Sequence, residues 1–169
     1  VVALALHCSL AHSGAWRGLA GHLPDLCITA PDMPGHGRAA PCDPQRNQHK
    51  VAAEAAIAML RAGGQPQHLI GHSFGAVVAL YIAQTAPELV RSLTLFEPVF
   101  FSVAFADTPG LREKYEREFG ALIAALDAGD SLGAAQAFIA DWGDGTPWEA
   151  LLVKQRQALA DKMHFVKAG

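Results

Sequence analysis

The sequence has no excess of basic residues. Thirteen Lys and Arg stand against sixteen Asp and Glu, a formal net charge of −3. Nothing therefore supports an electrostatic surface for nucleic acid or an anionic membrane. No apolar run approaches the roughly 18 residues that a membrane-spanning helix needs. Val1 to Leu6 carry neither a basic flank nor a small-residue cleavage site, so they are not read as a signal peptide. Cysteine is scarce: Cys8, Cys27 and Cys42 are an odd number without CxxC spacing, which argues against a disulfide framework or a zinc ribbon. Cys27, among apolar neighbours, reads as a small buried hydrophobe, and a reducing, cytoplasmic setting is the expectation. The histidines are scattered without ligand spacing, so neither a metal nor another cofactor is expected. The polarity of a disordered chain is also missing. Hydrophobic residues are 51% and charged residues 17% of 169, enough for one domain with a sizeable core.

What is present is alternation of short apolar runs with helical stretches. This predicts an α/β fold with a doubly wound, mostly parallel sheet. Strands are expected at Val1–Leu6, Leu26–Ala30, around Leu69–Gly71 and around Leu93–Phe96. Right-handed crossovers then give the spatial order second, first, third, fourth. Helices are expected at Trp16–Leu23, at Gln48–Ala62 with Val51, Ala55, Met59 and Ala62 on one face, and from Phe74 to about Ala86. Pro98–Gly110 reads as an aromatic-rich connection. Beyond it come three amphipathic helices with no strand between them. The first carries Leu111, Tyr115, Phe119, Leu122 and Leu126, and the second Leu132, Ala135, Ile139 and Trp142. The third opens on Thr146-Pro147-Trp148-Glu149, a capping-box pattern. The expected division is a core at 1–107 and a helical cap at 108–169.

The segment with most chemical content is Leu69-Ile70-Gly71-His72-Ser73-Phe74-Gly75-Ala76, a G-x-S-x-G sequence between a strand and an apolar helix. A serine on so sharp a turn takes a strained backbone, and glycines before and after it let strand and helix close up. Ser73 then stands at a helix N-terminus, where N–H groups favour developing negative charge. The loop His7-Cys8-Ser9-Leu10-Ala11-His12-Ser13-Gly14, ending the first strand, is placed beside it by the strand order.

These pieces, with APDMPGHGR and VRSLTLFEP in the same order, resemble the α/β-hydrolase fold family in its branch of small, lid-bearing esterase-like enzymes. The resemblance covers roughly residues 1–100, and 108–166 is similar to the family's variable cap. It implies Ser73 as nucleophile, the amides of Ser9 and Phe74 as oxyanion hole, and His7 as orienting the loop and meeting substrate. Where the family usually has His-Gly, this chain has His7-Cys8. A positive φ there would strain the cysteine, and Cys8 is either a reactive or a buried, inert thiol. Asp32 is expected to bond backbone amides, with His36 part of a structural turn.

A serine needs a base, normally a histidine held by a carboxylate. In the resembled family that histidine follows the last strand, later than this sequence reaches. His164 lacks the strand-end context, and His72 reads as a packed neighbour. The expectation is a chain lacking the C-terminal part of the domain, with the histidine supplied by a downstream segment or a second chain. The acid is either Glu97, at the end of the fourth strand, or a later aspartate; the other reading of Glu97 is a carboxylate binding cap-hinge amides or a substrate polar group, and burial of its charge is expected. The implied function is a serine hydrolase forming an acyl-enzyme on a small apolar ester, lactone, thioester or related carbonyl substrate. Phe100 and Trp142 are candidate substrate contacts or simply cap core. The rival readings are a non-catalytic module binding a small ligand, or an inactive fragment, and a weaker one is a thiol site at Cys8.

Overall fold

The computed structural model describes residues 1–143 and 145–167, so position 144 and the last two positions of the expected cap lie outside the described residues. Four parallel strands, β1 (Val2–Leu6), β2 (Cys27–Thr29), β3 (Gln67–His72) and β4 (Val90–Phe96), form one sheet in the order β2-β1-β3-β4. This is the expected order. The register pairs Ala5 with Ile70, Leu6 with Gly71 and His72 with Phe96, so β1, β3 and β4 end close together.

Alternation along the strands sends their side chains to two helix-covered faces. On one, Trp16 and Leu19 of a 3-10 turn (Ser13–Trp16) and helix α1 (Arg17–His22) cover Ala3, Ala5 and Ile70. On the other, helices α2 (Gln48–Ala62) and α3 (Phe74–Thr85) pack on each other, and α3 packs on β1, β3 and β4. Leu4, Leu6, Leu69, Phe74, Val78 and Ile82 are buried there. The face of α2 that is buried is Ala52, Ala53, Ala56 and Leu60, displaced from the expected stripe. Val51, Ala55 and Met59 instead line a half-open apolar groove with Met33, Pro34 and Pro41. Small alanines let α2 approach α3 closely, so the larger side chains turn to the groove. Cys27 is exposed, contrary to expectation, because β2 is a short edge strand.

The chain separates into two compact units, Val1–Val99 and Phe100–Lys167. The expected division at residue 107 falls later because Pro98–Gly110 contains a helix, α4 (Phe101–Asp107), whose Phe101 and Phe105 rings pack on Tyr115. The single helix expected through Leu126 is two, α5 (Leu111–Glu118) and α6 (Gly120–Ala128), broken at Phe119 before a glycine of low helix propensity. Lys114 and Glu118 approach to 3.8 Å on the exposed side of α5. Helix α7 (Ser131–Trp142) starts on Asp130, whose carboxylate accepts the Gly133 N–H. Its Ala134 and Ala135 are fully buried.

The third expected helix does not start at Thr146. Pro147 is extended, Trp148–Ala150 is one 3-10 turn, and α8 (Val153–Ala160) begins only after Leu152. The Arg156 guanidinium donates to the carbonyls of Glu149 and Leu151, which satisfies the turn and lets it end. Helix α9 (Met163–Lys167) closes the unit, with Met163 and Phe165 buried.

Gly21 in α1 has open space where a Cβ would stand. Gly21→Ala is therefore expected to stabilise the protein by about 0.5–1 kcal/mol through lower unfolded-state entropy, read as a higher urea midpoint at unchanged slope.

Candidate active site

Ser73 sits between β3 and α3 with φ 52° and ψ −115°. Its N–H donates to the Phe96 carbonyl at 2.9 Å, one last rung of the β3–β4 ladder, and its own carbonyl accepts from Ala76 at 3.0 Å and Val77 at 3.2 Å. The residue thus ends the strand with its N–H and starts the helix with its C=O. No run of ordinary residues fits so tight a reversal. A Cβ on Gly71 would lie 2.6 Å from both the Ala76 Cα and the Gly75 carbonyl oxygen. A Cβ on Gly75 would collide with the carbonyl oxygen of Leu6 and come within 2.6 Å of that of His7. The second clash carries most information, because it puts the start of α3 in backbone contact with the tip of β1. The elbow and the His7–Gly14 loop are therefore neighbours, as the strand order implied.

The His7 side chain is fully buried. Its Nδ1–H donates to the Cys8 carbonyl at 2.8 Å, and its Nε2 accepts the Met33 N–H at 3.0 Å. Both nitrogens are committed, so the expectation that His7 contacts substrate is corrected: it is a brace within the loop. Burial holds its pKa down, to about 4, against the opposing bond to Cys8. Asp32 accepts N–H groups from Ser13 at 2.7 Å and Arg38 at 2.9 Å. Those bonds, Arg38 first, keep its carboxyl well below the usual range. It is the backbone clamp expected of it.

Cys8 is half-buried and burial raises its thiol pKa, which disfavours the reactive thiolate at neutral pH. Among the described residues the non-glycine positions with positive φ are Ser73 and Glu97. Cys8 is not one of them, so its replacement of the family's usual glycine strains nothing.

Glu97 follows β4 with φ 47°. Its side chain is 87% exposed, and the His72 Nε2–H donates to its carboxylate at 3.4 Å. The expected burial of this charge is corrected: the strand ends one residue earlier and the carboxylate reaches solvent. His72, read as a packed neighbour, faces Glu97. So exposed a pair adds little stability. Ser9 is half-buried and Phe74 is 1% exposed at the first position of α3. Phe100 and Trp142 belong to the second unit. Phe100 is exposed, while Trp142 stacks on Phe119 at 4.5 Å and remains partly exposed.

Two imidazoles have contacts that the sequence did not reveal, His36, read as part of a turn, and His49. His36 is buried, with Nε2 at 2.5 Å from the Ser9 carbonyl. His49 packs on the Phe74 ring at 4.5 Å, its Nε2 buried without a hydrogen-bond partner and its pKa lowered by burial. Among the described residues no group of three or more His, Cys, Asp or Glu is arranged to hold a metal ion. None of their helices is long and apolar enough to cross a membrane.

Comparison with known proteins places this geometry in context. A family profile described as alpha/beta hydrolase fold matches residues 4–140. Lipase LipV of Mycobacterium tuberculosis is 39% identical over 95 residues, 56% of this chain and 36% of the lipase. The pimeloyl-[acyl-carrier protein] methyl ester esterase of Methylococcus capsulatus is 39% identical over 101 residues, 59% of this chain and 38% of the esterase. The chain thus covers little more than a third of these relatives' lengths. Among solved structures, MGS-M2, an alpha/beta hydrolase from a Medee basin deep-sea metagenome library, aligns with a TM-score of 0.67 at 18% identity, over 99% of this chain and 62% of that one. That likeness speaks for the fold alone.

Two outcomes follow from the geometry. Gly75→Ala places a methyl against main-chain oxygens that cannot swing aside, and should cost about 2–3 kcal/mol in urea unfolding. The folded protein keeps His7 neutral while the unfolded chain protonates it at its ordinary 6.5, so the unfolded state binds more protons between these values. Stability should fall as the pH drops from about 6.5 to about 4, by up to about 3 kcal/mol from this group, and its loss is complete below that. The difference in urea midpoint between pH 7 and pH 4 should be smaller in His7→Gln than in the unaltered protein.

Proposed function

The chain belongs to the α/β-hydrolase fold family, and from that premise we propose that it carries the nucleophile of a serine hydrolase acting on small apolar carboxylic esters or related carbonyl substrates. One observation carries the reading: a serine held at φ 52° on a strand-to-helix elbow, with backbone packed against the tip of β1. Strain of this kind costs about 1–3 kcal/mol and persists only where surrounding structure enforces it. The relatives named as a lipase and a methyl ester esterase support an ester as the substrate class.

In the proposed reaction Ser73 Oγ adds to the carbonyl carbon while a base takes its proton. The N–H groups of Ser9 and Phe74 stabilise the oxyanion. Collapse expels the alcohol, which receives that proton, and water then releases the acid. Both ring nitrogens of His7 and of His36 face partners of their own, His68 and His72 each turn one to Ser92 and Glu97, and His49 keeps a buried Nε2 without a hydrogen-bond partner against Phe74. A downstream segment or a second chain is proposed to supply the base histidine, as the family's order of nucleophile, acid and histidine implies. Glu97 is the proposed acid, its carboxylate already turned toward an imidazole. Phe100 and Trp142 are proposed to meet the apolar part of the substrate, and no cofactor is invoked.

A fluorophosphonate probe should label Ser73 in the protein expressed from its whole reading frame. Ser73→Ala should abolish labelling and lower ester hydrolysis by more than about 10³-fold. A folded but unlabelled protein would favour the non-catalytic, ligand-binding reading instead.

A further inference from the structure

The His36 side chain faces the Ser9 carbonyl, and its ring lies near that of Phe74. It is 1% exposed. Its Nε2 lies 2.5 Å from the Ser9 carbonyl oxygen and its Nδ1 3.1 Å from that of Pro34. Both oxygens can only accept, and the donated proton is assigned to Nε2, which faces Ser9. Its ring stands 6.3 Å from that of Phe74 and 4.9 Å, edge-on, from that of His7.

The peptide plane gives these contacts their consequence. In a trans peptide the C=O and the following N–H point in opposite directions. His7, donating to the Cys8 carbonyl, thereby aims the N–H of Ser9. That fixes one side of Ser9 only. The next plane, which begins at the Ser9 carbonyl, is held by His36. With both planes pinned, φ and ψ of Ser9 have little freedom left. The backbone presenting His36 is itself fixed: its N–H donates to Met33 O at 2.9 Å, its carbonyl accepts from Ala39 at 2.9 Å, and Asp32 grips both Arg38 and Ser13.

We infer that His36 is a positioning residue of the oxyanion site, pinning the Ser9–Leu10 peptide through Nε2–H and so fixing the direction of the Ser9 donor. The inference rests on the assignment of Ser9 and Phe74 above. A leucine would fill much of the space but donate nothing. A glutamine can extend an N–H to the same carbonyl, and an asparagine is too short.

The test uses the protein from its whole reading frame, p-nitrophenyl butyrate as substrate and a fluorophosphonate as label. His36→Leu should lower kcat by about 10–100-fold, less than the 10²–10³ cost of deleting a donor, with KM nearly unchanged. His36→Gln should recover most of that loss. Circular dichroism and thermal unfolding establish that each variant is folded. If His36→Leu does not fold, the comparison is His36→Gln against His36→Asn, with kcat retained in the first and lost in the second. A kcat unchanged in His36→Leu, or lost equally with glutamine and leucine, would overturn the inference while labelling of Ser73 leaves the hydrolase reading standing. Absence of labelling in the unaltered protein would remove both.

Discussion

The main chain of α3 meets the main chain at the end of β1, and the rest of the first unit is arranged to permit that contact. Carbonyl oxygens of Leu6 and His7 lie where a side chain on Gly75 would be. Such proximity requires β1 and β3 to be adjacent and in a register that pairs Leu6 with Gly71. It also requires a reversal at Ser73 sharp enough to need a positive φ. Packing of α3 on three strands holds that strain in place.

Closeness alone would leave a loop of uncertain shape beside the serine. The loop after β1 is shaped by side chains from the segment after β2, which reach across to its backbone. Asp32 takes the Ser13 N–H and His36 faces the Ser9 carbonyl, while His7 reaches the other way to the Met33 N–H. Imidazole suits the place of His7 because one ring can donate at one nitrogen, to the Cys8 carbonyl, and accept at the other, from the Met33 N–H, while carrying no charge. A charged group so buried would be costly. The same burial that makes the brace rigid lowers the pKa of His7, so rigidity and acid sensitivity share one cause.

Much of this was legible in the sequence where the signal was local and periodic. The apolar runs gave four strands in their observed order, Gln48–Ala62 is a helix over those same residues, and the glycines around Ser73 announced a tight turn. Illegible were features decided by what lies opposite. The buried stripe of α2 is Gln48, Ala52, Ala53, Ala56 and Leu60, one position round the helix from the stripe that Val51, Ala55 and Met59 define. Helix α8 starts late, after Leu152, whose N–H is capped by Gln155 Oε1, while Arg156 satisfies the carbonyls of the preceding turn, so that the Thr146 pattern is not the one used. His36 looked like a turn residue for the same reason: Pro34, Gly35 and Gly37 explain the backbone, and nothing local tells that the imidazole faces Ser9.

Glu97 shows how the sheet itself carries the site. The bond from Ser73 N–H to Phe96 C=O extends the β3–β4 ladder one rung past the paired strands. Immediately beyond it both chains turn, and both turn through residues with positive φ, 52° at Ser73 and 47° at Glu97. Neither conformation is favoured for a residue with a side chain. Because the shared rung ties the two reversals together, relaxing either one would pull on the other. The carboxylate, though open to solvent, follows directly on that shared rung, and His72, the last residue of β3, is turned to it. A group proposed to steady an imidazole near Ser73 gains from such a base, since its Cα follows directly on a main-chain bond shared with the serine. That is why an exposed glutamate is compatible with the acid role proposed for it.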